Sequence, residues 1–341
     1  MKALHIISEE PPVRSGFARC IDRLSRELAN FGFEVDVLSV KRIKHWRVGE
    51  IKLCYDFGKI YTSRFDEYDI INIHGHTPTF SDNFLFSAKL RGCGKPIVYT
   101  LHCLVNFYLS PFSKFYNWVM NNLLGLADRV VVTSPSYKRF LRCREKVKVI
   151  PWGVDYEFFH AKRQNSDGYN VLFVGQMRPY KGLSLLLKAV KGLDLNLHVV
   201  GDGPDFPRYF ELARKLNLSN VRFYGNIDDF KLRGLYSSCD VLVVPSVSMN
   251  EAFGLVTLEA AAAGCAVIAS SLPGLSDVVR NFGVLVPPRD LGSLRDALIM
   301  LSDEDVRLKY VKRGFVESLK YRWRDVGEGY AELYREVLSG S

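Results

Sequence analysis

The residues Asp240 to Ser270, DVLVVPSVSMNEAFGLVTLEAAAAGCAVIAS, leave few ways to fold. DVLVV reads as a buried strand and Pro245 as its exit. From about Gly254 an Ala-rich segment reads as a short helix that Gly264 can cap, and CAVIAS resumes at once as a second apolar strand. Two such strands joined through a helix make a β-loop-α-β unit with parallel strands, and its loop lies at the carboxyl end of the first. In open α/β sheets ligands bind at that end.

Two carboxylates bracket the turn. Glu251 lies in the loop and Glu259 lies eight positions on, about one turn inside the helix, with the N–H groups near Gly254 and Leu255 between them. A helix start offers unpaired donors and partial positive charge to a phosphate, and flanking carboxylates accept hydrogen bonds from sugar hydroxyls. The pattern suits a nucleotide-sugar better than a free anion. The plain alternative is a surface carboxylate at Glu251 and a solvated helix residue at Glu259.

EAFGLVTLE, with VVPS before it and AAAAGCAVIASSLPGLSDVV after it, resembles the two-glutamate motif E-x7-E of the retaining nucleotide-sugar glycosyltransferases of the GT-B fold, specifically glycosyltransferase family 4. The resemblance extends over nearly the whole chain. It implies an α/β protein of two Rossmann-like, doubly wound domains facing each other across a cleft. Residues 1–155 with 325–341 would form the acceptor-side domain, the last helix returning to it, and 156–324 the nucleotide-sugar-binding domain.

The length of 341 residues allows two domains, and 48% apolar with 24% charged residues is ordinary soluble composition. No apolar run reaches the roughly 18 residues that a spanning helix needs, and the chain starts directly in the strand ALHII, so a cytoplasmic protein is expected. The seven cysteines show no C-x-x-C pair and are odd in number, which argues against a disulfide framework or a zinc site.

Charge is uneven. Residues 1–150 hold 23 Lys/Arg against 14 Asp/Glu, while 151–341 hold 23 of each. The excess points the first half toward an anionic partner, such as a phosphate-bearing or lipid-linked acceptor or the inner face of a membrane, with plain solubility as the alternative. KRIKHWR (41–47) is read as a solvated hairpin or loop, with a phosphate or membrane patch as the alternative, and no nucleic acid partner is expected.

Phe17, Ile21, Leu24, Leu28 and Phe31 recur at helical spacing between the strands ALHII and EVDVLSV, forming one βαβ unit. Its loop, EEPPVRSG, lacks the dinucleotide fingerprint. By resemblance it is the small-residue loop that approaches the donor, with Gly16 matching the family's glycine and Ser15 in place of a first one. DIINIHGHTP ends in His74 and His76, and IVYTLH ends in His102; such strand-end histidines line the presumed cleft, the first two on the acceptor side. No carboxylate or thiol accompanies them at metal-ligand spacing. By resemblance His102 stands near the transferring sugar or the acceptor hydroxyl. VNFYLSPFSKFYNWVMNNLLGL (105–126) is read as a crossover helix buried through Phe115, Trp118 and Val119, a lipid- or acceptor-facing element being the alternative. HAKRQNSDG (160–168) reads as a linker, and VIPWGVD resembles the family's interdomain hinge.

The remaining roles also rest on resemblance. Glu259 would hold the ribose hydroxyls, and Glu251 with Phe253, Gly254 and Leu255 the hexose and second phosphate. Lys181 matches the family's diphosphate lysine, whereas Gln176 stands where the arginine is usual; Arg178, two residues on, is expected to supply that charge. Asn226 would border the base. The triplet Asp303-Glu304-Asp305 reads as a helix cap rather than a metal motif, so neither metal nor cofactor is expected. The implied activity is metal-independent transfer, with retention, of a hexosyl group from a nucleotide-diphosphate sugar of GDP-mannose or UDP-glucose type to a hydroxyl acceptor. The alternatives are another GT-B enzyme (epimerase or phosphorylase) or a non-catalytic nucleotide-sugar-binding protein, which Gln176 keeps open.

Overall fold

A computed structural model describes residues 1–8, 16–39, 45–48, 51–54, 65–77, 79–90, 94–104, 110–164 and 167–340. The chain divides into two compact units, Met1–Gly153 with Trp323–Ser341, and Val154–Arg322.

The first unit is a parallel sheet of β1 (Lys2–Ile7), β2 (Glu34–Ser39), β5 (Ile70–Gly75), β6 (Ile97–Leu101), β7 (Arg129–Val132) and β8 (Val147–Val149), in the order β2-β1-β5-β6-β7-β8. A separate antiparallel pair, β3 (His45–Val48) and β4 (Ile51–Cys54), holds the end of the basic segment 41–47, whose first four residues lie outside the described ones. β5 and β6 are buried along their whole length, which is why IINI and IVYTL read as mainly apolar runs, broken only by Asn72 and Thr100, instead of alternating. The helix Gly16–Asn30 buries Ile21, Leu24 and Leu28. The closing helix Trp323–Leu338 buries Val326, Tyr330, Leu333 and Tyr334, and its Arg335 donates to Phe31 O at 2.8 Å.

The helix Ser110–Leu123 differs from expectation. Phe115 and Trp118 face outward, 65% and 53% exposed, while Met120 and, just beyond the helix, Leu124 point into the core. The outward rings stack on each other 6.1 Å apart, with the Arg142 guanidinium over Trp118, so cation–π and ring contacts hold them in place of burial.

The second unit is a parallel sheet of β9 (Asn170–Val174), β10 (Asn196–Val200), β11 (Val221–Gly225), β12 (Val241–Val244), β13 (Ala266–Ser270) and β14 (Val284–Val286), ordered β11-β10-β9-β12-β13-β14. The segment read as a linker, of which 165–166 lie outside the described residues, begins inside this unit with residues that pack on it: Arg163 Nη2 bonds Asp240 at 3.0 Å, and Gln164 N donates to Ser237 O at 3.0 Å. Asp303 caps the helix Glu304–Ser318 by accepting from Val306 N at 3.1 Å.

Both sheets have a switch point where the strand order reverses, between β1 and β5 in the first and between β9 and β12 in the second. Chain segments leaving either side of that point diverge, which opens a crevice at the carboxyl ends of the strands. The described helices include none long and apolar enough to cross a membrane.

Candidate functional site

In the second unit the loops after β9 and β12 meet at the switch point. The first runs Gly175 to Lys181 and ends in a 3-10 turn, Pro179–Lys181. Gly182 follows with φ +73°, and a Cβ there would run into the Pro245 carbonyl, so only glycine lets the two loops touch. Val247 N then donates to Tyr180 O at 2.7 Å across the junction.

That contact delivers Lys181 to Glu251. Lys181 Nζ donates to Glu251 Oε2 at 2.6 Å, and Ser246 Oγ donates to the same oxygen at 3.0 Å. Both charged side chains are largely covered, 17% and 9% exposed. Burial works against the Lys181 charge, but the Glu251 carboxylate outweighs it, and the ammonium is held above its ordinary value. A pair so enclosed depends on its partner, because either charge alone would be left desolvated.

Gly254 (φ +76°) opens the helix Leu255–Ala262, and Thr257 Oγ1 donates to its carbonyl at 2.7 Å. A Cβ at Gly254 would strike Leu275, so the left-handed turn needs glycine twice over. Phe253 is buried beside it. One turn on, Glu259 is 7% exposed and accepts from Tyr236 Oη at 2.9 Å. Arg178 donates through Nε to Gln176 Oε1 at 2.8 Å, and its charge is felt by Lys181. The residue in the usual arginine's place thus holds the arginine that follows it.

The structure brings together Lys181, Arg178, Glu251, Phe253, Gly254, Leu255 and Glu259 around one switch point. Asn226 is exposed and follows the edge strand β11, two strands from β9 in the sheet order.

In the first unit His74 and His102 sit at the other switch point. Gly16 begins the helix that follows β1, while Ser15 lies outside the described residues. His102 N donates to Gly75 O at 2.8 Å, and its ring lies parallel to Trp152 at 5.4 Å with Phe17 edge-on at 4.5 Å. His74 is 1% exposed and sits between two other histidines, with Nδ1 3.2 Å from His102 Nε2 and Nε2 3.3 Å from His5 Nδ1. His76 turns away to Tyr99 Oη, 2.9 Å from its Nδ1. Burial pulls His5, His76 and His102 down to about 3, His102 also feeling His76, and holds His74 well below its ordinary value. All four rings are therefore neutral near pH 7.

Sequence reading missed His5, Tyr236, Ser246 and Tyr334. A histidine inside the apolar strand ALHII is the one signal that stood out, since a polar ring at a core position must find a partner.

Residues 155–315 match the family model of glycosyl transferases group 1, and residues 14–158 match that of glycosyltransferase family 4. The phosphatidyl-myo-inositol mannosyltransferase of Mycobacterium tuberculosis is 37% identical over 297 residues, covering 81% of this chain and 75% of that protein. The D-rhamnosyltransferase WbpZ of Pseudomonas aeruginosa is 34% identical over 247 residues, covering 68% of this chain; the match spans 64% of that protein's length. Among solved structures, sucrose-phosphate synthase from Thermosynechococcus elongatus superposes with a TM-score of 0.80 at 23% identity, both chains covered fully. Anabaena HepE in complex with UDP-glucose superposes with a TM-score of 0.77 at 18% identity, over 98% of this chain and 100% of that one.

Proposed function

The chain belongs to the group 1 glycosyltransferases of family 4, with their GT-B fold, and on that premise we propose that it moves a hexosyl group, with retention and without a bound metal, from a nucleoside-diphosphate sugar of GDP-mannose or UDP-glucose type to a hydroxyl acceptor. Relatives named as mannosyl- and rhamnosyltransferases, and a neighbour in complex with UDP-glucose, support that donor range. The acceptor is lipid-linked or a growing glycan. A relative named for phosphatidyl-myo-inositol supports this, as do the basic first half of the chain and the exposed Phe115 and Trp118, which suit a peripheral contact with a lipid surface.

The observation that carries the reading is the Lys181–Glu251–Ser246 cluster beside the helix start at Gly254. As the glycosidic bond breaks, negative charge builds on the departing diphosphate. Lys181, Arg178 and the free N–H groups at the helix start then face it, and fixed cations of this kind are each worth on the order of 100- to 1000-fold in rate. Glu251 Oε2 is occupied by Lys181 and Ser246, which leaves Oε1 for a sugar hydroxyl. Glu259, held by Tyr236, accepts from the ribose hydroxyls. Attack comes from the face the diphosphate leaves, and the departing phosphate takes the acceptor proton, so no side chain is needed as base.

The test is thermal melting with UDP-, GDP- and ADP-sugars, with and without a chelator, followed by an assay for free nucleoside diphosphate. A ligand that binds only the native state raises the melting temperature. The expected result is a shift with one nucleotide class that survives chelation, and diphosphate release that depends on acceptor. No shift with any donor overturns the reading; a shift that needs divalent metal overturns its metal-free part.

A further inference from the structure

One file of hydrogen-bonded side chains crosses the interior of the first unit and ends at His102. Tyr330 Oη lies 3.3 Å from Thr100 Oγ1, which donates to Asn72 Oδ1 at 2.9 Å, and Asn72 Nδ2 donates to Tyr334 Oη at 2.7 Å. Tyr334 Oη lies 2.9 Å from His5 Nε2, His5 Nδ1 lies 3.3 Å from His74 Nε2, and His74 Nδ1 lies 3.2 Å from His102 Nε2. Every member before His102 is buried.

We propose that this file runs in one direction and fixes the hydrogen of His102 on Nδ1, so that Tyr334, His5 and His74 are positioning residues that make His102 a hydrogen-bond donor to a substrate oxygen and not a base. The proposal rests on the transferase reading, with His102 beside the reacting sugar or acceptor.

The direction follows from counting hydrogens. A neutral imidazole has one N–H and one bare nitrogen, so in a file of three rings the first sets the other two. Burial keeps all three neutral. Suppose Tyr330 donates to Thr100, Thr100 to Asn72, Asn72 to Tyr334 and Tyr334 to His5. Each hydrogen passed along the file then has an acceptor as far as the N–H on Nδ1 of His102; the second N–H of Asn72 lies outside the file in either direction. In the reverse direction, with the Asn72 amide turned over, Thr100 gives its hydrogen to Tyr330. The Tyr330 O–H then has no acceptor among the described residues, in a side chain that is 0% exposed. His102 Nδ1 becomes a bare acceptor as well, and none of the described residues donates to it. Apart from the second Asn72 N–H, which is common to both, the forward file leaves one buried group unmatched and the reverse file two. Buried polar groups are matched in the great majority of cases, which favours the forward file.

The unmatched group it leaves is His102 Nδ1–H, at the end of the file where a ligand oxygen is required. Trp152 and Phe17 hold the ring's plane, so the donor has a fixed direction. With Nε2 engaged by His74 and Nδ1 carrying hydrogen, His102 has no lone pair to take the acceptor proton.

Nitrogen-15 NMR of histidine-labelled protein near neutral pH reads the tautomer directly, the His102 signals being assigned by their loss in His102→Asn. The expected wild-type result is a protonated Nδ1 and a bare Nε2. Tyr334→Phe removes the donor but keeps the ring, and is expected to give an Nε2–H or mixed His102 and to lower kcat on the order of 10-fold. A bare Nδ1 in the wild type overturns the proposal, whether or not the variant folds. An unchanged tautomer or an unchanged kcat in Tyr334→Phe overturns the positioning role, since mere packing would move only the melting temperature. The spectra need no substrate, so a protein that transfers from no nucleotide-sugar would sink the transferase reading and leave the tautomer result standing.

Discussion

At the switch point of the second unit the chain concentrates charge: Lys181 against Glu251, Arg178 held by Gln176, and Glu259 one turn into a helix. At the switch point of the first unit, the same topological place is filled by neutral groups, with His5, His74 and His102 in a file anchored by Tyr334. The contrast follows the two jobs of a glycosyl transfer. A leaving diphosphate gathers charge and needs cations aimed at it, whereas hydroxyl groups are directed by neutral donors and acceptors that add no charge of their own.

The largest separation between the two ends is expected in acid. His5, His76 and His102 have native values near 3, and His74 is also well below its ordinary 6.5, all because burial opposes the charged form. An unfolded chain therefore takes up protons that the native one refuses. Stability is therefore held above about pH 6.5, the ordinary value, and is lost as the pH falls below it. Among the described residues of the second unit, the histidine shifted this way is His198. Hydrogen exchange at pH 5 is expected to open β1, β5 and β6 before β9 and β12, and tryptophan emission should change with it, because all four tryptophans lie in the first unit. Simultaneous opening of both sheets would break the comparison.

Next in size is the cation at the charged end. Lys181→Ala strands a buried carboxylate, which should lower stability by about 3–5 kcal/mol, and it should cut turnover on the order of 100- to 1000-fold. Adding Glu251→Gln removes the stranded charge. The double variant is expected to regain its melting temperature while turnover stays low. Recovery of turnover in that variant would reduce the pair to a structural salt bridge.

The residues of the charged end could be picked out along the sequence; at the neutral end the strand-end histidines His74 and His102 could be too, but not the file that joins them to His5 and Tyr334, for a physical reason. Glu251 and Glu259 lie eight positions apart, in one loop and in the helix it opens, so their pairing can be read along the chain. The His file is assembled from β1, β5, the residue after β6 and the closing helix, and Tyr334 lies 329 residues from the histidine it bonds. No local pattern records such a contact. The central strands themselves were readable because burial on both faces makes them mainly apolar. Reading failed at Phe115 and Trp118, where helical spacing gave the right element and the wrong face, since the exposed side is also aromatic. At 160–168 polarity suggested a linker, yet Arg163 and Gln164 find backbone and carboxylate partners in the second unit.

Glu259→Ala sharpens the comparison through binding. If Glu259 holds the ribose, the variant loses hydrogen bonds to a charged group, about 1.5–3 kcal/mol, and the nucleoside diphosphate should bind on the order of 10- to 100-fold more weakly. Titration calorimetry with the free nucleotide checks this without any acceptor. Unchanged affinity would move the ribose elsewhere.

The smallest effect is the most discriminating, because it makes one substitution in both units. Tyr236 is fully buried, donates to Glu259 Oε2 at 2.9 Å, and packs edge-on against Phe159 at 5.7 Å. Phenylalanine keeps that packing and removes only the hydroxyl. Losing one hydrogen bond that steadies a binding carboxylate is worth about 1 kcal/mol, so Tyr236→Phe should weaken donor affinity about fivefold and leave kcat near wild type. Tyr334→Phe, an equally buried loss of one hydroxyl, is expected to act on kcat and to spare donor affinity. The hydroxyl in the second unit orients a group that grips the donor in its ground state. The one in the first unit sets which nitrogen of His102 meets the substrate as the bond changes. If both variants altered the same parameter, the two switch points would not divide binding from turnover, and the contrast between a charged and a neutral end would describe composition alone.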